Sequence, residues 1–250
     1  MLEHEQHLQW QTWQVPVLFR RSKRARRLRI TIGQEAVKVT MPRGVSLKHA
    51  QDFVAQKEAW IGRHWSTAQE KAPPQWDALT TGMPVMLWGE KYTLRLACGE
   101  KVVADVQKEG ATLQVLFPPD CSDLVAQKAM ETALKRFFTQ TLRTQLEPWV
   151  NQYGERYHLQ HNGLRIRAMR SRWGSCGVRN TLNFNRHLVH APAQVVRYVV
   201  IHELAHLRHR NHGPQFWALV EQMDPHFLEH RLWLRNHGHS LGLHVAGKVL

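Results

Sequence analysis

Hydrophobic and polar residues alternate over two short stretches near the start of the chain. Leu28, Ile30 and Ile32 alternate with Arg29 and Thr31, and beyond Gly33-Gln34-Glu35 the alternation resumes at Val37, Val39 and Met41. A period of two on either side of a turn predicts a hairpin with one buried face. The period then lengthens. Ala50, Phe53, Val54, Trp60 and Ile61 recur at helical spacing behind Ser46, a residue type that caps helix N-termini. Lys71-Ala72-Pro73-Pro74 stops this helix and is a candidate boundary, near 71–76. Alternation returns at Tyr92, Leu94 and Leu96 and again at Leu113, Val115 and Phe117, and Pro118-Pro119-Asp120 closes that region. From Ser122 a helix carries Leu124, Val125, Met130, Ala133, Leu134, Phe137 and Phe138, and is expected to end or bend near Pro148. Leu164, Ile166 and Ala168 predict a strand, Thr181 to Phe184 a second, and Pro192 stands where a helix leading into His202 should begin. No internal repeat is visible. These elements predict an α+β protein with an N-terminal β-rich region, 1–119, holding one helix, followed by a second region, 120–250.

The helix behind Pro192 carries chemistry. His202, Glu203 and His206 form H-E-x-x-H. On a helix, residues four apart lie one turn above each other, so both imidazoles can reach one tetrahedral ion. Glu203, one residue along, projects beside the ion and can take a proton from the water that the ion activates. A catalytic zinc needs a third protein ligand. His209, His212, Glu221 and Glu229 are the candidates. His209 sits about 60° off the ligand face of a continuing helix, whereas His212 lies where Asn211, Gly213 and Pro214 turn the chain back. Its offset also matches the metzincin spacing H-E-x-x-H-x-x-G-x-x-H, with His209 in place of the glycine. Glu229 would serve in a thermolysin-like arrangement. His212 is the preferred reading. Met223-Asp224-Pro225 faintly suggests a metzincin Met-turn, but Met223 reads better as a core residue at a helix end.

Charge widens the choice of partners. The chain of 250 residues carries 34 Lys+Arg against 20 Asp+Glu, a net +14, which favours anionic partners. The run FRRSKRARRLRI, Phe19 to Ile30, holds seven basic residues, Arg20 to Arg29 among them. It reads as a solvated strand face or as a nucleic-acid patch, and no base-stacking aromatic motif accompanies it. No apolar run approaches the ~18 residues of a membrane helix. The N-terminus lacks the basic start and apolar core of a secretory signal, and three cysteines without paired spacing argue against disulfides. A cytoplasmic protein is expected. His237, His239 and His244 read as a solvated tail.

The ordered set RSRWGSC (Arg170 to Cys176), TLNF (Thr181 to Phe184) and YVVIHELAHLRHRNHGPQFW (Tyr198 to Trp217) resembles the YgjP-like, SprT-related zinc metallopeptidases. The resemblance implies a minimal zincin, a twisted sheet beside the H-E-x-x-H helix, over 120–250. It implies a zinc cofactor held by His202, His206 and His212, with Glu203 as the catalytic carboxylate. Gly213 stands where a serine is common in the family, and either residue can precede the next helix. Family members are described as peptidases, so a peptide substrate is the first expectation. For some bacterial relatives the associated activity is nucleoside triphosphate (UTP) pyrophosphatase, and the motif does not separate the two. A third reading is a SprT-like, DNA-associated protein whose metal is structural. Arg170 and Arg172 would hold a phosphate or a developing oxyanion if their loop faces the metal. The competing reading of that loop is a tight Trp-Gly-Ser turn with Trp173 in the core.

Overall fold

The computed structural model describes residues 2–33, 35–70, 76–100, 103–169, 171–245 and 248–250. The chain forms two compact units, Met1–Pro73 and Pro74–Leu250. The Lys71–Pro74 segment expected as a boundary lies outside the described residues, as does the middle of the Gly33-Gln34-Glu35 turn.

In the first unit, strands β1 (Leu2–Trp10), β2 (Trp13–Arg21), β3 (Arg29–Ile32) and β4 (Val37–Met41) form a sheet of order β1-β2-β4-β3. The predicted hairpin is the antiparallel β3–β4 pair, with Ile32 opposite Val37. Strands β1 and β2 were not foreseen. The central β2–β4 pair is parallel. Val15, Val17 and Phe19 of β2 and Val37, Val39 and Met41 of β4 point inward onto Ala50, Val54, Ile61 and Trp65. Those last residues come from helices α1 (Leu47–Gln56) and α2 (Glu58–Glu70), where one helix was expected. Ser46 caps α1, its hydroxyl accepting from the His49 amide at 3.2 Å. The helix breaks at Lys57, whose N–H closes back onto Ala55 and Val54 carbonyls. The break turns Trp60 outward, 38% exposed rather than in the core.

The second unit repeats the same strand plan. Strands β5 (Pro84–Leu87), β6 (Glu90–Cys98), β7 (Asp105–Glu109) and β8 (Thr112–Phe117) have the order β5-β6-β8-β7 with a parallel β6–β8 centre. The repetition is topological only, since no periodicity of sequence accompanies it. Sequence groups this sheet with the N-terminal region, yet its buried Val85, Leu87, Leu94, Leu113 and Val115 belong to one core with the C-terminal helices. The reason lies in α3 (Asp123–Arg156), 34 residues long, whose buried stripe from Ala126 to Val150 gives the sheet an apolar partner. Pro148 lies inside α3 rather than ending it. A proline there forfeits one helical hydrogen bond, and Leu146 and Val150, both buried, supply the packing that offsets it. Leu124 and Val125, expected on the apolar face, are exposed.

A smaller sheet carries the chemistry. Strands β9 (Leu164–Arg167), β10 (Gly174–Cys176) and β11 (Leu182–Asn185) have the order β10-β11-β9, with β9 and β11 parallel. A 3-10 turn, Arg186–His190, leads from β11 to α4 (Ala193–Ala205), which begins immediately after Pro192. Helix α4 packs against α3, α5 (Pro214–Met223), α6 (Phe227–His237) and β10. Its residues from Val195 to Ala205 are nearly all buried, so it is the central helix of the unit. The chain ends in a short hairpin, β12 (His244–Val245) with β13 (Lys248–Val249).

Candidate active site

The H-E-x-x-H segment occupies the C-terminal end of α4, with His206 as the C-cap residue. The Asn211–Gly213 turn then brings the chain back before Pro214 opens α5 at its first position. The outcome is a triangle of imidazoles. One ring nitrogen from each of His202, His206 and His212 lies within 4.8 Å of the others. The ring centres are 5.0 Å apart for His202–His206, 5.0 Å for His202–His212 and 4.7 Å for His206–His212. Phe216, fully buried, packs against all three rings at 4.6 to 4.9 Å and forms their floor.

The triangle fits a divalent metal. His206 Nδ1 lies 3.0 Å from the His209 carbonyl, which fixes the tautomer with Nε2 free to face the cluster. This is the outer hydrogen bond that metal-ligating histidines commonly make. His202 Nε2 and His212 Nε2 face each other at 3.1 Å. That separation is close to the ~3.3 Å edge of a tetrahedron with ~2.05 Å zinc–nitrogen arms. Burial pushes the His202 imidazole down to about 3, and its two histidine neighbours and Arg231 push the same way. Burial also lowers His206. Both rings are therefore neutral near pH 7, the form that binds metal.

Glu203 is 4% exposed and lines the same cavity, of about 460 Å³, as the three histidines. Burial pushes its carboxyl up to about 8, against the pull of Arg172 and of the Cys176 backbone N–H. Oε2 has no hydrogen-bond partner. Across from it stands Gly174, where a Cβ would lie 2.5 Å from Glu203 Oε1. The glycine of the Trp-Gly-Ser turn thus leaves the space that the carboxylate fills.

The remaining expectations divide. Arg172 lines the metal cavity, with Ser171, Ser175 and Cys176. Arg170 lies outside the described residues. Trp173 is partly buried against the core, as the structural reading of its loop required. Glu229 is exposed beside His226 Nδ1 at 3.5 Å, and Glu221 is exposed, so neither joins the triangle. His209 contributes its carbonyl rather than its ring. Met223 is a buried core residue at the end of α5. His244 departs from the expected solvated tail: it is buried.

Two contributors went unnoticed in the sequence. Arg210 lines the metal cavity, held by Cys176 Sγ at 3.2 Å, the Gly177 carbonyl at 3.1 Å and Asn180 Oδ1. Only its place between His209 and Asn211 hinted at this. Asn185, 3% exposed, ties the loop before β10: Nδ2 donates to the Met169 and Arg172 carbonyls, and Oδ1 accepts from Met169 and His187 amides. A polar residue ending the L-N strand was its only mark.

The family described as YgjP-like, metallopeptidase domain, matches residues 26–237. The chain belongs to the YgjP-like family. The family match runs from the first unit into the second and takes in the whole of the histidine triangle. The chain is 27% identical over 151 residues to the UTP pyrophosphatase of Escherichia coli (strain K12), covering 57% of this chain and 89% of that protein. Among solved structures it is similar to the metallopeptidase zymogen of Pyrococcus abyssi abylysin, with 22% identity, a TM-score of 0.33, and coverage of 36% of this chain and 93% of that one. It is also similar to the zymogen of Methanocaldococcus jannaschii jannalysin, with 20% identity, a TM-score of 0.34, and coverage of 36% and 94%. As a YgjP-like protein this is a metal-dependent hydrolase. No helix among the described residues is long and apolar enough to cross a membrane.

Proposed function

We propose that this YgjP-like protein is a zinc-dependent hydrolase that cleaves nucleoside triphosphates to the monophosphate and pyrophosphate. The observation that carries the reading is the pair of guanidinium groups, Arg172 and Arg210, in the wall of the cavity that holds the histidine triangle. Among the described residues, Glu203 is the one carboxylate lining that cavity. A substrate with three or four negative charges needs such a wall, whereas a peptide backbone does not. The relative named UTP pyrophosphatase and the net charge of +14 support the same substrate class.

His202, His206 and His212 would hold the zinc. When bound, the ion polarises a phosphoryl oxygen and acidifies water. Glu203, buried beside the histidine triangle, takes a proton from the attacking water. The water oxygen bonds to the α-phosphorus and the bridging bond to the β-phosphate breaks. Glu203 returns the proton to the departing pyrophosphate oxygen. Arg172 and Arg210 hold the phosphates, and Arg210 is kept in place by its bonds to Cys176, Gly177 and Asn180.

The second reading is peptide hydrolysis, favoured by the family's description as a metallopeptidase domain. The same histidines and Glu203 would then serve a carbonyl. Assays of the zinc-loaded protein on UTP and on unfolded protein substrates separate the two. We expect pyrophosphate release from UTP, abolished by Glu203→Gln. Arg172→Ala should lower kcat/KM for UTP roughly 10- to 100-fold, the loss of one charge-assisted contact. Cleavage of protein without turnover of any nucleotide would overturn the proposal.

A further inference from the structure

A second cavity, beside the metal site, is claimed by none of the chemistry above. Its volume is about 900 Å³, within the ~300–1,000 Å³ range of small-molecule sites. Ser171 and Arg172 line both cavities, so the two share a wall.

We propose that this second cavity is a nucleoside subsite, taking the base and sugar of a nucleotide whose phosphates lie against the histidine triangle. The proposal rests on the reading of that triangle as a phosphoanhydride hydrolase. Three observations carry it. First, the walls combine apolar surface with cations: Trp173, Leu234 and Leu241 on one hand, Arg172 and Arg235 on the other, and among the described residues no carboxylate lines the cavity. A base needs apolar faces and a phosphate needs cations, and an acidic lining would repel the whole ligand. Second, the walls are fixed before any ligand arrives. A Cβ at Gly238 would lie 2.8 Å from the Trp173 ring, so the indole is backed directly by main chain. Asn185 holds the loop carrying Arg172 through both Met169 and Arg172 carbonyls. Third, His187, 8% exposed, lines the cavity and has a buried Nδ1 without a hydrogen-bond partner. Burial and the neighbouring Arg186 hold this imidazole at about 4, against a hydrogen bond to the Leu250 backbone, so at neutral pH the ring is uncharged. The one unpartnered nitrogen of such a neutral ring suits a sugar hydroxyl or a base edge.

The shared wall sets the direction of binding. Arg172 stands where the two cavities meet and would contact the α-phosphate, between the sugar on one side and the metal on the other. Inorganic tripolyphosphate would use the metal cavity alone.

The test compares UTP with tripolyphosphate in the wild type and in Ala168→Trp. Ala168 is exposed and lines the second cavity, so an indole there fills it without entering the core. Wild type should prefer UTP, and the variant should lower the ratio of the two kcat/KM values at least tenfold, chiefly through KM for UTP. Continued tripolyphosphate turnover shows that the variant has folded. An unchanged ratio, no wild-type preference for UTP, or an effect seen only on cleavage of an acidic peptide would overturn the subsite while leaving the hydrolase reading to its own test. If the wild type turns over neither phosphate compound, the hydrolase reading fails. Calorimetry of uridine monophosphate with the metal-free protein then decides the subsite alone. Binding weakened at least tenfold by Ala168→Trp sustains it, and absence of binding overturns it.

Discussion

A methyl group at position 174 would compete with a carboxylate for the same space. The Cβ of Gly174→Ala would meet Glu203 Oε1, Cγ and Cδ, all within 2.7 Å, and the side chain that yields is the glutamate. We expect Gly174→Ala to lower kcat at least 100-fold while zinc content stays near one per chain, because the three atoms nearest to the new Cβ all belong to Glu203. Metal analysis beside kinetics checks this, and full activity in the variant would remove the steric argument. The glycine was legible only as part of a turn. His202, Glu203 and His206 were legible outright, since a helical spacing places both rings without knowledge of anything else in the fold. Arg210 was not, because its place depends on Cys176, Gly177 and Asn180, some thirty residues earlier in the chain.

At the scale of elements, the end of α4 does two tasks. Its last turn presents His202 and His206, and the irregular chain beyond it supplies both a carbonyl for His206 and the third imidazole. Replacing His212 by Ala should weaken zinc binding at least tenfold, whereas His209→Ala should leave it nearly unchanged, since the backbone carbonyl remains. Chelator competition measures both, and the reverse order would move the third ligand to His209. The carbonyl end of a helix also carries partial negative charge, worth ~0.3–1 kcal/mol to a cation in its last turn. Local signals announced this element well: a proline at its start and a glycine-proline pair after its end. Strands β1 and β2 announced themselves poorly. On β1 the inward side chains include His4 and Gln6, so the alternation of apolar and polar residues that marks a half-buried strand is blurred. The parallel pairs β2–β4 and β6–β8 join strands that are not neighbours in sequence, and no local pattern encodes such a pairing. The joining of the β5–β8 sheet to α3 was hidden by Pro118-Pro119-Asp120, which lies between β8 and α3 and reads as the close of a region rather than as a turn within one.

At the scale of the whole molecule the described residues form two hydrophobic cores, one in each unit. The described histidines whose proton affinity burial lowers, among them His187 and His190, both held at about 4, lie in the second unit. Between pH 6.5 and 4 the unfolded chain takes up protons that these buried rings refuse, so their stabilising share is full above about pH 6.5 and lost as pH falls toward 4. For each ring the loss is on the order of 3 kcal/mol at most. Calorimetry of the metal-free protein should show two transitions, and lowering the pH from 7 to 5 should move that of the second unit downward by several degrees. A single transition that shifts as a whole would contradict this. Two cores also mean that no single melting temperature describes the chain. A metal held by the histidine triangle and the protonation of His187 and His190 would act on one transition, and the other stays behind as a reference built into the same polypeptide, against which every variant of the active site can be read.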